Sequence, residues 1–114
     1  SKMTTIELIS KKGEPQSKTR NRIDNHSQMF NYGETSYQVK EGFVEAKFRS
    51  PLDSEVHIQF WRHKFENTSY SITKLETKGH IQHFQLKSKS GIIINYDQTG
   101  KVSRISEKVE ATNE

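Results

Sequence analysis

Residues Val56–Phe65 read Val-His-Ile-Gln-Phe-Trp-Arg-His-Lys-Phe and combine the only tryptophan of the chain with a basic cluster. In the first half of this stretch, apolar and polar residues alternate with the period of two that is typical of a strand with one buried face. The period then slips, because the next bulky residues are Trp61 and Phe65. A strand that changes its buried face usually contains a bulge or is covered on both faces at one end. We therefore interpret Val56–Phe65 as a central strand.

Trp61 itself has two interpretations. It could fill the core beneath a loop, or it could belong to an exposed binding face together with Arg62, His63 and Lys64. We favour burial, because aromatic side chains are more often buried than functional.

The composition indicates one small domain. A chain of 114 residues with 30% hydrophobic residues can bury only a small core, and it contains no apolar run long enough to span a membrane. The absence of cysteine excludes disulfides, thiolate metal sites and a cysteine nucleophile. A cysteine-free chain is compatible with the cytoplasm, which we slightly favour, and also with extracytoplasmic compartments.

Turn signals at intervals of about ten residues predict the fold class. Examples are Lys40-Glu41-Gly42 and Asp97-Gln98-Thr99-Gly100, which separate short segments of alternating hydrophobicity. A similar short segment at Thr4–Ser10 is interpreted as a first strand, and no stretch shows a sustained helical period. The sequence thus predicts an all-β antiparallel meander that forms a small sandwich or barrel of seven or eight short strands.

Two segments lack the pattern of a strand. Lys11–Arg22 has no apolar side chain except Pro15, and the following residues to Tyr32 are poorly patterned. We predict a mobile basic and polar loop over residues 11–32, and a loop of that length is often functional. Residues 107–114 are predicted to be a disordered tail, so the single domain spans residues 1–114 with these two exceptions.

Motifs of catalysis and metal binding are missing from the sequence. There is no Gly-x-Ser-x-Gly, no phosphate-binding glycine-rich loop and no His-Glu-x-x-His. The chain has five histidines, but none forms a recognisable ligand pattern with a carboxylate, and there is no cysteine to complete a site. The sequence therefore predicts a non-enzymatic protein without a metal or other cofactor.

The distribution of charge predicts the partner. The net charge is +4, and the balance is +4 over residues 1–22 and +5 over residues 56–104. Basic residues interleaved with aromatic ones are typical of single-stranded nucleic-acid binding, in which cations contact phosphates and rings stack on bases. The predicted contact residues are Arg20, Arg22, Trp61, Arg62, Lys64, Phe65, Lys87 and Lys89.

The leading hypothesis is a binding module for an anionic macromolecule, with nucleic acid the first candidate. The alternative is a protein-interaction or assembly module, for example an accessory part of a larger cell-surface, secretion or virus-like complex. Such a module would dock a protein partner through an exposed sheet edge. A barrel that holds a small ligand or glycan against Trp61 is a third possibility, which requires a concave pocket.

Overall fold

The structure is a computed structural model that describes residues 1–20 and 26–111. Within these residues the protein is mostly β, with one eight-stranded antiparallel sheet that does not close into a barrel and two short helices. The prediction of an antiparallel β fold is confirmed in part: the chain is mostly β and not all-β, and the described strands form neither a barrel nor a two-sheet sandwich. The chain divides into two compact units, which we call unit 1 (residues 1–49 and 107–114) and unit 2 (residues 50–106).

Each unit consists of a helix followed by antiparallel strands in which neighbours along the chain are also neighbours in the sheet, as a meander requires. The elements of unit 1 are α1 (Thr5–Lys12), β1 (Ser17–Arg20), β2 (Ser27–Tyr32), β3 (Thr35–Lys40) and β4 (Phe43–Arg49). The elements of unit 2 are a 3-10 helix (Asp53–Glu55), α2 (Ile58–Lys64), β5 (Tyr70–Lys74), β6 (His83–Ser88), β7 (Ile93–Asp97) and β8 (Val102–Glu107), of which only the last residue belongs to unit 1.

Helix α1 corrects the prediction of a first strand over Thr4–Ser10, which is wrong. Thr4 and Glu7 form a capping box, in which the Glu7 N–H donates to Thr4 Oγ1 and the Thr4 N–H donates to Glu7 Oε1, both at 3.1 Å. These bonds satisfy two N–H groups that a helix start otherwise leaves without partners. Leu8 enters the core of unit 1, whose buried hydrophobic members are Met3, Leu8, Phe30, Tyr37, Val39 and Val44.

Helix α2 corrects the interpretation of Val56–Phe65 as a strand, which is also wrong. Ile58, Trp61 and Phe65 are spaced three and four residues apart, so a helix places all three on one side. The helix begins after His57, whose Nδ1 accepts a hydrogen bond from the Gln59 N–H at 3.1 Å. The three side chains pack in the core of unit 2 with Leu86, Ile94, Tyr96, Val102 and Ile105.

The predicted loop over residues 11–32 contains regular structure in its described part. The end of α1, all of β1 and all of β2 lie within it, and residues 21–25 lie outside the described residues. Every residue of β1 is exposed, which explains why its sequence carries no hydrophobic signal. The predicted tail is also ordered into the sheet at its start, because β8 ends at Glu107 and Glu110 bridges to Lys2. Residues 112–114 lie outside the described residues.

The predicted turns at residues 40–42 and 97–100 are confirmed. Glu41 and Gly42 both have positive φ angles, 51° and 83°, as a two-residue hairpin turn requires. In the second turn, Asp97 Oδ1 accepts hydrogen bonds from the Thr99 N–H at 2.8 Å, the Thr99 hydroxyl at 2.6 Å and the Lys101 N–H at 3.2 Å.

Gly100 ends this turn at a point where a side chain has no room. Its φ angle is +88°, and a Cβ atom there would lie 2.6 Å from Nε2 of His57, the residue that caps α2. We expect Gly100→Ala to lower the free energy of unfolding by about 2–4 kcal/mol, from backbone strain and loss of the cap. Gly42→Ala is the matched control, because its φ angle is +83° and nothing lies within 4 Å. Equal losses in urea unfolding would contradict the close approach of His57.

Candidate functional site

The basic residues among the described predicted contacts are exposed, whereas the two aromatic ones are buried. Arg62 and Lys64 are exposed on α2, Lys87 is exposed on β6, and Lys89 is exposed in the turn that follows β6. Arg20 is exposed at the end of β1 in unit 1. Arg22 lies outside the described residues.

Trp61 and Phe65 are buried, with 1% and 7% of their surfaces exposed. The indole N–H of Trp61 donates a hydrogen bond to the Glu55 carbonyl at 3.0 Å, and its ring packs edge-on against Phe60 with 5.2 Å between centroids. Lys64 Nζ lies 5.4 Å from the centre of the indole. Burial of Trp61, our favoured interpretation, is confirmed, and neither ring has a free face on which a base could stack.

The basic residues of unit 2 lie on opposite faces of its strands. Leu86 on β6 is paired with Ile94 on β7, and both side chains enter the core beneath α2. Successive residues of a strand point to opposite faces, so Lys87 points away from α2. Arg62 is on α2 itself. Lys87 therefore lies on the opposite face of the sheet from Arg62 and Lys64, and the three residues do not form one continuous basic surface.

A groove of about 300 Å³ lies on the α2 side of unit 2, between α2 and the strands β5, β6 and β7. Phe84 and Tyr96 stack on each other at 5.5 Å between centroids and form its aromatic wall. Ile72 of β5 also lines the groove and is 41% exposed. The groove thus offers apolar surface beside an accessible strand, and we call it the β5 groove.

The two charged side chains that line the β5 groove, Arg62 and Asp97, each make a hydrogen bond to a neighbouring hydroxyl. The Arg62 Nε donates a long hydrogen bond of 3.5 Å to the Tyr70 hydroxyl, and this bond raises the pKa of Arg62, which stays cationic. Burial raises the pKa of Tyr96. The hydrogen bond from the Thr99 hydroxyl lowers the pKa of Asp97, so the folded chain favours the carboxylate. This contribution to stability is present above the unfolded pKa of Asp97 and is lost as the pH falls through the folded one.

Strand β5 is an edge of the sheet, and its open side presents backbone groups in a regular order. The Leu75 N–H bonds to the His83 carbonyl at 2.8 Å, and the Lys89 N–H bonds to the Ser69 carbonyl at 3.2 Å. Hydrogen-bonded pairs alternate along an antiparallel ladder, so the odd-numbered residues between these bonds also pair with β6. The N–H and C=O groups of Tyr70, Ile72 and Lys74 consequently point outward.

The open edge of β5 carries none of the usual devices that block pairing except one lysine. Its sequence, Tyr-Ser-Ile-Thr-Lys, has no proline, no glycine and no acidic residue, and its pairing with β6 shows no bulge. Tyr70, Ile72 and Lys74 lie on the same face as the β5 groove, since Ile72 is paired with Leu86. An incoming strand would therefore find free backbone groups and an apolar contact side by side.

The sequence analysis named an exposed sheet edge as the docking surface of its alternative hypothesis but did not say which strand forms it. The alternation of Tyr70 and Ile72 with polar residues is visible in the sequence. The order of the strands in the sheet is not visible in the sequence, because it depends on pairing between segments that are distant in sequence.

A second cavity, of about 310 Å³, lies in unit 1 and is rich in lysine. Lys12 Nζ is 6.0 Å from the centre of the Tyr37 ring, which lines the cavity wall. Burial raises the pKa of Tyr37, and the nearby Glu107 adds to the effect. The charged residues of this lysine cavity are Lys11, Lys12, Lys47, Lys108, Glu107 and Glu110.

The described residues hold no group of three or more histidine, aspartate or glutamate side chains placed to bind a metal ion. In the same part of the chain, no helix has the length and apolar character needed to span a membrane.

No protein-family model, no curated protein and no solved structure matches this chain.

Proposed function

We propose that this protein is a non-enzymatic protein-interaction module that binds an extended segment of a partner protein along the open edge of β5. Binding of this kind extends a sheet by one strand, with backbone hydrogen bonds supplying affinity and side-chain contacts supplying specificity. The observation that carries the proposal is the outward direction of the backbone groups of Tyr70, Ile72 and Lys74 beside the β5 groove.

The contacts available to a bound segment are of two kinds. Tyr70, Ile72 and Lys74 each offer one backbone donor and one backbone acceptor, because each forms a non-hydrogen-bonded pair with its opposite residue in β6. Every second side chain of the segment would lie on the α2 side, near Ile72 and the Arg62 side chain. Ile72 is the apolar anchor, and the guanidinium of Arg62 favours an acidic or polar residue in the segment.

The placement of the aromatic residues also favours this function over nucleic-acid binding at the predicted residues. Base stacking contributes about 1–3 kcal/mol per base when an aromatic ring is accessible. Trp61 and Phe65 are buried and cannot provide it. Binding of a partner strand at the exposed edge of β5, by contrast, requires no rearrangement of the core.

The test is selection of linear peptides from a random library on the wild-type protein, followed by binding measurements with Ile72→Pro and Ile72→Lys. The Ile72 N–H points outward, so proline there removes no bond to β6 and blocks one bond to a partner. We expect at least a tenfold loss of affinity for both variants, which corresponds to about 1.4 kcal/mol. Ile81→Lys is the matched control, because Ile81 is 49% exposed and lies outside β5.

Unchanged affinity of the selected peptides for both Ile72 variants would overturn the proposal. Equal losses for the Ile81 control would do the same, since a general effect of the added charge would then explain the result.

A second candidate function, binding of an anionic macromolecule with nucleic acid first, is favoured by the lysine cavity of unit 1. Its charged lining has four lysines against two glutamates. Such a cavity attracts phosphate groups, and its contacts would make binding strongly dependent on salt.

The test of this candidate is filter binding of a single-stranded oligonucleotide at low and moderate salt. We expect Lys12→Glu and Lys47→Glu to weaken binding by about tenfold each, because each substitution reverses a charge in the cavity lining. Lys89→Glu makes the same change in unit 2, outside the cavity, and is the control. Affinity that does not change with salt, or equal losses for all three variants, would contradict this candidate.

A further inference from the structure

We infer that the extended segment bound at the β5 edge is β5 of a second copy of this chain, antiparallel to the first and centred on Ile72. This inference rests on the proposed function, because it assigns a partner to the same edge. It follows from the self-complementarity of β5: when two copies of this strand pair antiparallel, their backbone groups and side chains fit each other.

The outward backbone groups fit this arrangement. With Ile72 opposite Ile72 of the second copy, Tyr70 lies opposite Lys74 and Lys74 lies opposite Tyr70. All three positions have outward N–H and C=O groups, so each pair exchanges two hydrogen bonds, as the closely spaced pairs of an antiparallel ladder do. Ser71 and Thr73, the other two residues of β5, keep their pairing with β6.

The side chains fit the same register on both faces. On the α2 side, two partly exposed isoleucines meet at the centre, and each Lys74 ammonium lies opposite a Tyr70 ring, to which cations are attracted. On the other face, Ser71 lies opposite Thr73, a hydroxyl pair that is favourable across strands. Within the strand pair no two like charges lie directly opposite each other. Each Lys74 nevertheless shares Tyr70 with the Arg62 of the other copy, whose Nε bonds the Tyr70 hydroxyl at 3.5 Å, and repulsion between these two cations weakens the pairing.

Neighbouring registers are less favourable. A shift of two residues toward the carboxyl end places each Ile72 opposite a Lys74, and a shift of four places the two Lys74 residues opposite each other. Like charges directly opposite destabilise a strand pair. Charge repulsion disfavours the shift of four, and the shift of two loses the isoleucine pair at the centre. Of these three registers, the one centred on Ile72 therefore combines the isoleucine pair with separated lysines.

The interface is small, because β5 has five residues. Stable homodimers usually bury more surface than one short strand pair can, so we expect a weak dimer with a dissociation constant of roughly 10 μM to 1 mM. Self-pairing of this strength would respond to local concentration, as in an assembly that gathers several copies.

The direct test uses the absence of cysteine from the chain. Ile72→Cys places one thiol at the centre of the symmetric pair, where Cα atoms about 5.5 Å apart are within reach of a disulfide. We expect its disulfide-linked dimer to form at least about tenfold faster than that of Ile81→Cys, because pairing raises the effective concentration of the thiols. Ile81 is the more exposed of the two, so accessibility alone would give the opposite order.

Sedimentation velocity over a range of concentrations supplies the second measurement. The wild-type chain and Ile81→Lys are expected to shift toward a dimer as concentration rises, whereas Ile72→Lys stays monomeric because it places two lysines opposite each other. Cross-linking of Ile72→Cys no faster than the control, or a wild-type chain that is monomeric throughout, would overturn the self-pairing. A monomeric chain whose selected peptides still lose affinity on substitution of Ile72 would leave the proposed function standing without it.

Discussion

Replacing Trp61 by alanine is expected to lower the free energy of unfolding by about 3–5 kcal/mol, the range for removing a large aromatic side chain from a core. The side chain is 1% exposed and packs with the buried residues of unit 2. The substitution also removes the hydrogen bond from the indole N–H to the Glu55 carbonyl. A small domain is stable by about 5–15 kcal/mol in total, so much of that stability would be lost.

The measurement is urea unfolding followed by circular dichroism, because Trp61 is the only tryptophan and its removal abolishes the tryptophan fluorescence. Phe60→Ala is the control, since Phe60 is 38% exposed and contacts the same indole from outside the core. We expect it to cost about 1 kcal/mol, the range for one edge-on aromatic pair. If Trp61→Ala cost no more than Phe60→Ala, the indole would not be buried as the structure has it.

The second large effect is expected in unit 1, where Leu8→Ala should lower the free energy of unfolding by about 2–5 kcal/mol. Leu8 is 2% exposed and packs with Phe30, Tyr37 and Val44 beneath α1. The same urea titration, followed by the fluorescence of Trp61, measures this change if unfolding of the two units is coupled, and circular dichroism measures it in either case.

Ile6→Ala is the control for Leu8 and also distinguishes a helix from a strand. Ile6 is 81% exposed in α1, so its loss should change stability by less than about 0.5 kcal/mol. In a strand, residues 6 and 8 would lie on one face and respond together. Similar losses for the two substitutions would therefore contradict α1 and restore the strand that the sequence suggested.

The strands and turns from residue 33 onward, apart from residues 56–65, could be predicted because their signals are local. A two-residue turn at Glu41 and Gly42 needs positive φ angles, and glycine at such a position is visible in the sequence. The alternation of strands such as β7, with Ile94 and Tyr96 buried, is equally visible. These features depend on a few adjacent residues and little else.

Both helices were missed because they are short and their apolar residues fit two periods. Ile6 and Leu8 satisfy a period of two, yet the capping pair Thr4 and Glu7 was present in the sequence and indicates a helix start. In Val56–Phe65, the apparent slip at Trp61 is the helical spacing of residues 58, 61 and 65. A slip in alternation is therefore better tested against a helix before a bulge is assumed.

The candidate site was the least predictable part of the molecule. Lys87 and Arg62 were grouped by charge, but their faces depend on strand register and on a helix that the sequence analysis had assigned as a strand. The open edge of β5 depends on which strand ends the sheet, and that is set by pairing between distant segments. Charge is readable from a sequence, whereas its arrangement in space follows from the fold.

Amide hydrogen exchange along β5, measured residue by residue by NMR in dilute solution, tests the open edge most directly. The structure predicts an alternating pattern, in which the amides of Ser71, Thr73 and Leu75 are protected by bonds to β6. The amides of Tyr70, Ile72 and Lys74 should exchange within about tenfold of an unstructured chain and become protected when a partner strand is bound. Uniform protection of all six amides in the monomer, or protection of the even-numbered ones alone, would contradict the account.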